Sequence, residues 1–302
     1  MILDRNGMPS ELIAVLQGGL GNQMFIYSAA RAIALEKGLD LKLDVESGFK
    51  QDYRYQRSFS LKGFKVQAAH AAKGECLWRP FNWKRRYLRY LGNRLNLTRE
   101  VLVEDQNAGF DPKLIDRVPT VGRVYLLGYF QSEQYFGEIK PELFRDFGFK
   151  DERELNSICT GVIGDPARAT CVHVRLFNDH ADERERLRSY YRRAIAHLQS
   201  LGISDRIFVV SESIDGAREV IDSDLQNLVF LESGGRTELE DFYILSRCRN
   251  IVIGESTFSW WAGWVGEKHF DNRLVIAPAS RKQGGVSAWG FEGLIPERWL
   301  SL

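Results

Sequence analysis

The chain is predicted to be an α/β protein of two domains facing each other. Three observations predict this. Short β-branched runs alternate with amphipathic helical patterns in both halves of the chain, as parallel sheets wrapped by helices require. The alternation is broken once, by an irregular and basic middle. The 302 residues are enough for two ordinary domains.

Taken in order, residues 12–16 (LIAVL) read as a buried strand and 23–37 as the helix after it. In residues 39–45 (LDLKLDV) apolar side chains alternate, as in a half-buried strand. Residues 124–129 read as a strand, 132–136 open a helix, and 141–147 continue it. The second half is more regular, with strands at 169–174, 207–210, 228–231, 251–253 and 274–277. Helices are predicted over 188–201, with Tyr191, Ile195 and Leu198 on one face, over 238–248, and from Trp260 onward. Gly161, Gly164 and Pro166 cluster near the expected junction, giving domains of 1–155 and 156–302.

Composition excludes several classes. The chain carries 41 basic and 40 acidic side chains, so no global field draws it to nucleic acid or to an anionic membrane. Cys76, Cys159, Cys171 and Cys248 are scattered, without C-x-x-C spacing. They read as buried thiols and not as a zinc site or disulfide framework. The first residues carry Asp4 and Glu11 and no long apolar run, so neither a secretory signal nor an anchor is expected. No apolar stretch nears the ~20 residues of a membrane span. A cytoplasmic location is the expectation.

Residues 78–99 hold seven Lys or Arg side chains among aromatics, with no acid. They read first as a solvated helical face, and otherwise as a peripheral contact with an anionic inner membrane or an acidic acceptor. Asp222-Ser-Asp224 has the D-x-D form of some metal-dependent transferases. It follows a helical pattern and not an apolar strand, so it reads as a solvated turn, and no metal is expected.

Three segments carry the chemistry. Gly18-Gly19-Leu20-Gly21-Asn22-Gln23 lies between a strand and a helix, where glycines admit a close ligand and helix amides favour an anion. A tight turn needs the same glycines; Asn22 and Gln23 add polar ligand contacts. The segment lacks the last glycine of a dinucleotide fingerprint and the Gly-Lys-Ser/Thr of a phosphate loop. The second segment, Gly254-Glu255-Ser256-Thr257-Phe258-Ser259-Trp260-Trp261, ends a buried strand in three hydroxyls and then a helix. Capping needs one hydroxyl; the set suits a diphosphate. The tryptophans that follow, including Trp264, read as core. The third segment is His173-Val-Arg175, at the carboxyl end of a strand where open α/β sheets bind ligands. Arg175 suits a forked grip on phosphate and equally an interdomain salt bridge. A strand-end histidine is more often a satisfied core group than a catalyst. Glu212, at the end of another strand, suits a ribose or base, or caps a helix.

Together these residues resemble the α-1,2-fucosyltransferase family, glycosyltransferase family 11. Residues 18–25 (GGLGNQMF), 127–136 (LGYFQSEQYF), His173-Val-Arg175, the Ser-Thr-Phe-Ser-Trp-Trp run and Pro296-Glu-Arg-Trp299 stand in the family's order. Tyr190-Tyr191, Ser211-Glu212, Asp241 and Cys248 match the helices and turns between them. The resemblance implies two Rossmann-like domains of the GT-B type facing a cleft. It implies transfer of L-fucose from GDP-fucose to the 2-hydroxyl of a galactoside in a surface glycan such as O-antigen or capsule, with inversion and without metal. It implies catalytic roles for Arg175, Asp179 and His173. Donor contacts would come from Gly19, Gly21, Asn22, Gln23, Arg175, Glu212, Asp241, Ser256, Thr257, Phe258 and Ser259. The acceptor would be a galactose-containing, lipid-linked glycan. This chain departs from the family's His-x-Arg-Arg-Gly-Asp-Tyr: Leu176 and Phe177 replace the second arginine and the glycine, Asn178 takes the aspartate's place, and Asp179 follows. Asn178 is no base, so Asp179 is the expected one. The altered loop leaves two alternatives: a GT-B transferase with another nucleotide-sugar donor or linkage, and a non-catalytic glycan-binding relative.

Overall fold

A computed structural model describes residues 10–50, 52, 53, 55–77, 101–104, 109–176, 181–203, 206–221, 227–232, 234–279, 289 and 293–302. The basic stretch 78–99, Asp222-Ser-Asp224, and Asn178 with Asp179 lie outside the described residues. The chain divides into two compact units. One holds the described residues up to Phe147 with Gly293 and Leu294, the other the remainder.

The first unit starts with β1 (Ser10–Val15), buried throughout, and α1 (Leu20–Lys37). Helix α1 is buried on most of its circumference. Ser28, Ala29 and Ala30 let its backbone approach the sheet, and Gly38 ends it in the left-handed conformation at φ 64°. The unit continues with β2 (Asp40–Asp44), β3 (Ala69–His70), β4 (Val101–Val103), α2 (Pro112–Asp116), β5 (Gly122–Leu127) and α3 (Lys140–Asp146). Its sheet has the order β3-β2-β1-β5-β4, every pair parallel. Residues 132–136, expected to open an α-helix, form only a 3₁₀ turn over Glu133–Tyr135, capped by Ser132.

The second unit begins with α4 (Glu152–Ile163) and runs through β6 (Thr170–Val174), α5 (Ala181–Ser200), β7 (Ile207–Ser211), α6 (Ile214–Val220), β8 (Leu228–Leu231), α7 (Glu238–Arg247), β9 (Asn250–Val252), α8 (Thr257–Gly266), β10 (Leu274–Ala277) and β11 (Leu300–Ser301). The expected boundary between 155 and 156 falls inside α4, which packs on α7 of the same unit, so the division lies after Phe147. The Gly164 and Pro166 cluster is the stop of α4 and the start of a 3₁₀ turn, not a linker: Gly164 caps the helix at φ 74°. The sheet order is β11-β10-β9-β6-β7-β8, all parallel. In order of appearance that is the doubly wound arrangement 3-2-1-4-5-6, and the order reverses between β6 and β9.

Packing follows from the pattern. Val172 and Val174 of β6, Ile207 and Val209 of β7, and Tyr191, Ile195 and Leu198 of α5 share one core. Trp260, Trp261 and Trp264 are fully buried and stack edge to face at 5.1 Å, so the tryptophan run is core, as its spacing predicts. All four cysteines are buried free thiols. Among the described residues, no helix is long and apolar enough to cross a membrane.

Candidate active site

In a doubly wound sheet, ligands bind at the carboxyl ends of the strands where the order reverses. In the second unit that is the end of β6 and the end of β9, which carry two of the three predicted segments. β6 delivers His173 and Arg175; β9 delivers Gly254, Glu255 and Ser256. The two ends adjoin closely: a Cβ on Gly254 would stand 2.9 Å from the His173 carbonyl oxygen and 3.3 Å from the Arg175 amide nitrogen. Glycine is needed there for close approach, not for a special dihedral.

Two buried tyrosines of α5 fix these ends. Tyr190 donates to the carbonyl oxygens of Ile253 (2.7 Å) and Ile276 (3.1 Å), and Tyr191 to that of His173 (2.9 Å). Each phenol adds a hydrogen bond to strand-end carbonyls and so ties α5 to the ends of β6, β9 and β10; the Ile276 carbonyl also accepts from the Ile253 amide at 2.9 Å. Their match to the family's helix thus has a structural explanation.

Arg175 follows β6 and Glu212 follows β7. Val174 is in register with Ser211, so the next residues on the two strands stand side by side. Their side chains form an ion pair. Both are partly exposed, at 27% and 41%. A guanidinium with this freedom can exchange a carboxylate for a phosphate without uncovering a buried charge.

Ser256 caps α8, its hydroxyl accepting from the Phe258 amide at 3.3 Å. The first-turn amides of α8 therefore open at the switch point, where the helix dipole favours an anion. Thr257 and Phe258 are half-buried. Ser259 is fully buried and donates to the Ser256 carbonyl oxygen at 3.3 Å, so its hydroxyl shapes the turn.

His173 is buried with its ring 5.5 Å from that of Phe258, and its Nδ1 meets no hydrogen-bonding partner. Burial first, and Arg175 second, push its pKa down to about 3. It is neutral at physiological pH. Taking a proton would place a second cation beside Arg175 in a desolvated place, so its chemistry is that of a neutral imidazole.

Sequence reasoning passed over Glu255. Only 7% of its side chain is exposed, and both carboxylate oxygens accept from Arg186 of α5, at 2.7 and 2.9 Å. Arg186 also pairs with Glu183 at 2.6 Å. This forked pair ties the loop after β9 to the first turns of α5. A charge just before a hydroxyl cluster was its one signal. Asp241 lies on α7 and accepts from Arg236 at 2.7 Å. Phe242 beside it stacks on Phe258 at 5.4 Å, which brings α7 against the start of α8.

In the first unit, the strand order reverses between β1 and β5, and the glycine segment follows β1. Gly18 has φ 73°, and Gly19 is the N-cap of α1. Gly21 is buried in the first turn of α1. Gln23 is fully buried, with its carboxamide committed to the chain: Nε2 donates to the carbonyl oxygens of Gly18 and Ser58, both at 2.9 Å, and Oε1 accepts from the Ser60 amide at 2.9 Å. It clamps the loop. Asn22 accepts from Gln131 at 3.1 Å, after β5. The turn holding Gln131 is itself fixed by the buried Glu104, which accepts from the amides of Tyr129 (2.6 Å) and Phe130 (2.9 Å).

Comparison with known proteins agrees with this architecture. The chain is 28% identical over 289 residues to a protein of Escherichia coli named Alpha-1,2-colitosyltransferase, covering 89% of this chain and 91% of that one. It is 26% identical over 317 aligned positions to the O-antigen biosynthesis glycosyltransferase WbnK of Escherichia coli, covering 96% of this chain and 100% of that one. A solved mutant of Arabidopsis thaliana FUT1 in complex with GDP aligns with a TM-score of 0.53 at 11% identity, covering 87% of this chain and 70% of that one. That likeness shows the fold alone, two Rossmann-like units of the GT-B type. The family model described as Glycosyl transferase family 11 matches residues 112–271, more than half of the chain and all of the switch-point site. The chain belongs to glycosyl transferase family 11.

Proposed function

We propose that this glycosyltransferase moves L-fucose from GDP-fucose to the 2-hydroxyl of a galactoside in a surface glycan, with inversion and without a metal ion. The observation that carries the reading is the juxtaposition of Arg175 and the start of α8 across the β6–β9 switch point. In an inverting step the acceptor oxygen bonds to the anomeric carbon as the bond from that carbon to the β-phosphate oxygen breaks. The hydroxyl proton leaves to a base, and GDP departs with the extra charge. Arg175 and the positive end of the α8 dipole meet that charge as it grows. Glu212 holds Arg175 until the diphosphate takes its place, and is then available to ribose hydroxyls. His173 serves as a neutral hydrogen-bonding group beside Arg175. Asp179 is the proposed base.

The test is release of GDP from GDP-fucose with a β-galactoside acceptor and chelator present. The Arg175→Ala variant should lose about 10²–10³-fold in rate. Its melting temperature should hold, because the lost ion pair is exposed. Wild-type turnover by the variant would remove Arg175 from the mechanism, and metal-dependent turnover would remove the metal-free step.

One observation favours a second donor. The Escherichia coli relative that aligns over 89% of this chain is named for colitose, which is L-fucose without its 3-hydroxyl. The altered residues 176–179 lie beside Arg175 in sequence. Ranking GDP-colitose against GDP-fucose by kcat/KM decides the sugar; the diphosphate grip is common to both.

A further inference from the structure

The turn after β2 belongs to none of the family segments, yet it is built as a binding element. Asp52 accepts from the amides of Tyr55 (3.0 Å) and Arg57 (3.3 Å), and the Asp52 carbonyl oxygen accepts from Gln56 at 3.0 Å. These bonds fix the turn, in which Gln56 adopts φ 47°. Immediately after it, Gln23 clamps Ser58 and Ser60. On this turn stand Tyr53 at 84% exposure and Tyr55 at 50%, both among the exposed large hydrophobic side chains of the described protein.

Arg57 links the turn to the glycine segment. Its guanidinium carbon lies 4.4 Å from the centre of the Tyr55 ring, and 3.7 Å from where a Cβ on Gly19 would be. Among the described residues, no carboxylate pairs with this guanidinium. Tyr129, after β5, lies near enough for its phenol to sense both Arg57 and Asp52. The cluster thus sits at the carboxyl ends of β1 and β5, where the first sheet reverses its order.

The chemistry selects the ligand class. A bare phosphate would meet the Arg57 guanidinium but make no use of the exposed Tyr53 and Tyr55 rings. A purely apolar ligand would leave the guanidinium N–H groups without acceptors. An exposed aromatic ring beside a fixed fork of donors suits a neutral ring with an apolar face and a hydroxyl edge.

We propose that Tyr55 and Arg57, with Tyr53 beside them, bind a pyranose ring of the acceptor glycan. The ring packs on the exposed part of Tyr55, and the Arg57 fork donates to a pair of neighbouring hydroxyls. This rests on the transfer reading above and adds the acceptor subsite to it.

The experiment is steady-state transfer from GDP-fucose to N-acetyllactosamine. Tyr55→Ala and Arg57→Ala should each raise the acceptor KM about tenfold or more, with donor KM and GDP affinity held. Tyr55→Phe, which keeps the ring, should stay within about threefold of wild type. Unchanged acceptor KM in both alanine variants overturns the proposal, as does a matching loss of GDP affinity, which would assign the turn to the donor. A wild-type protein that releases no GDP is failure of the transfer reading and is recognised as such. Saturation-transfer difference NMR with N-acetyllactosamine and GDP then decides. Acceptor signals that vanish in Tyr55→Ala sustain the subsite; signals absent in wild type, or intact in both alanine variants, overturn it. Tyr55 is half exposed, and an unchanged melting temperature verifies folding of each variant.

Discussion

Gly254 sets the spacing of the proposed diphosphate site, and Gly254→Ala tests that spacing. The new Cβ would lie 2.9 Å from the His173 carbonyl oxygen, 3.0 Å from the Tyr191 hydroxyl and 3.3 Å from the Arg175 amide. The shortest of these is about 0.5 Å inside an ordinary contact. None of the neighbours yields easily. The His173 carbonyl accepts from Tyr191, and Tyr191 is buried in the core of the unit. The loop after β9 must therefore back away from β6 by about half an ångström, against the hold of Arg186 on Glu255. Overpacking of this kind costs about 1–3 kcal/mol, which lowers the melting temperature by roughly 2–12 °C in a protein of this size. Displacement of a catalytic group by 1 Å costs about 10²-fold, so half of that distance predicts about tenfold in rate and weaker GDP binding. Calorimetric titration with GDP, thermal melting and GDP release read the three quantities. The control is Gly161→Ala in α4, where the added methyl meets nothing within 4 Å and should be neutral or slightly stabilising. Wild-type GDP affinity and melting temperature in Gly254→Ala would refute both the contact and the placement of the site.

Three further predictions test the frame. Gly266→Ala would set a methyl 1.1 Å from Nη1 of Arg273, whose buried guanidinium donates to the carbonyls of Leu245, Ser246, Ala262 and Gly263 at the ends of α7 and α8. Displacing that cation should cost at least about 3 kcal/mol, read as a melting temperature lower by on the order of 10 °C; a shift under about 2 °C would contradict it. Gln23→Leu strands the Gly18 and Ser58 carbonyls and the Ser60 amide, so the denaturation midpoint should fall by the equivalent of about 3 kcal/mol, and an unchanged midpoint would show that the clamp is dispensable. His173 and His269 both have pKa values pushed down to about 3, chiefly by burial. The unfolded chain binds these protons first, so stability should be full above about pH 6.5 and fall by about 1.4 kcal/mol per pH unit for each histidine on acidification, until the folded values are reached. Imidazole NMR signals of either residue titrating above pH 5 in the folded protein would refute this.

Much of the second unit was legible because its strands are buried on both faces. Runs such as residues 207–210 and 251–253 are continuous apolar stretches, and a parallel sheet is the arrangement that hides them. Strands β3 and β11 were not legible: each has two residues, too few to show any period. Helix α4 was hidden by its own ending, because Gly164 and Pro166 punctuate a helix stop as well as a linker. At the site, Arg175 and Glu212 were readable from strand-end position alone, and register explains why they meet. Gln23 was readable as important but not in its role. A carboxamide beside glycines suits a ligand or the chain equally, and only the positions of Ser58 and Ser60 distinguish the two. Arg57 and Tyr55 could not be read from sequence, since their meaning lies in their nearness to a glycine some forty residues away.

The residues that match the family segments therefore divide by what their polar atoms bind. Gln23, Tyr190, Tyr191 and Ser259 bind the protein's own backbone and set the distances between strand ends. Arg175 is different: its charge is held at the surface by an exposed carboxylate that a ligand can replace. The proposed donor site, built this way, separates the geometry of the diphosphate from the identity of the sugar. The first is locked by buried hydrogen bonds whose loss would damage the fold. We assign the second to the segment that follows Arg175 in sequence. Substitution of the second arginine, the glycine and the aspartate of the family pattern by Leu176, Phe177 and Asn178 is a change of the second kind. It predicts a transferase that keeps its grip on GDP while its choice of sugar or acceptor shifts. Exchanging residues 176–179 for the family's sequence should then alter donor and acceptor ranking and leave GDP affinity within about threefold, a change under about 1 kcal/mol. A tenfold loss of GDP affinity in that exchange would show that geometry and specificity are not separable here.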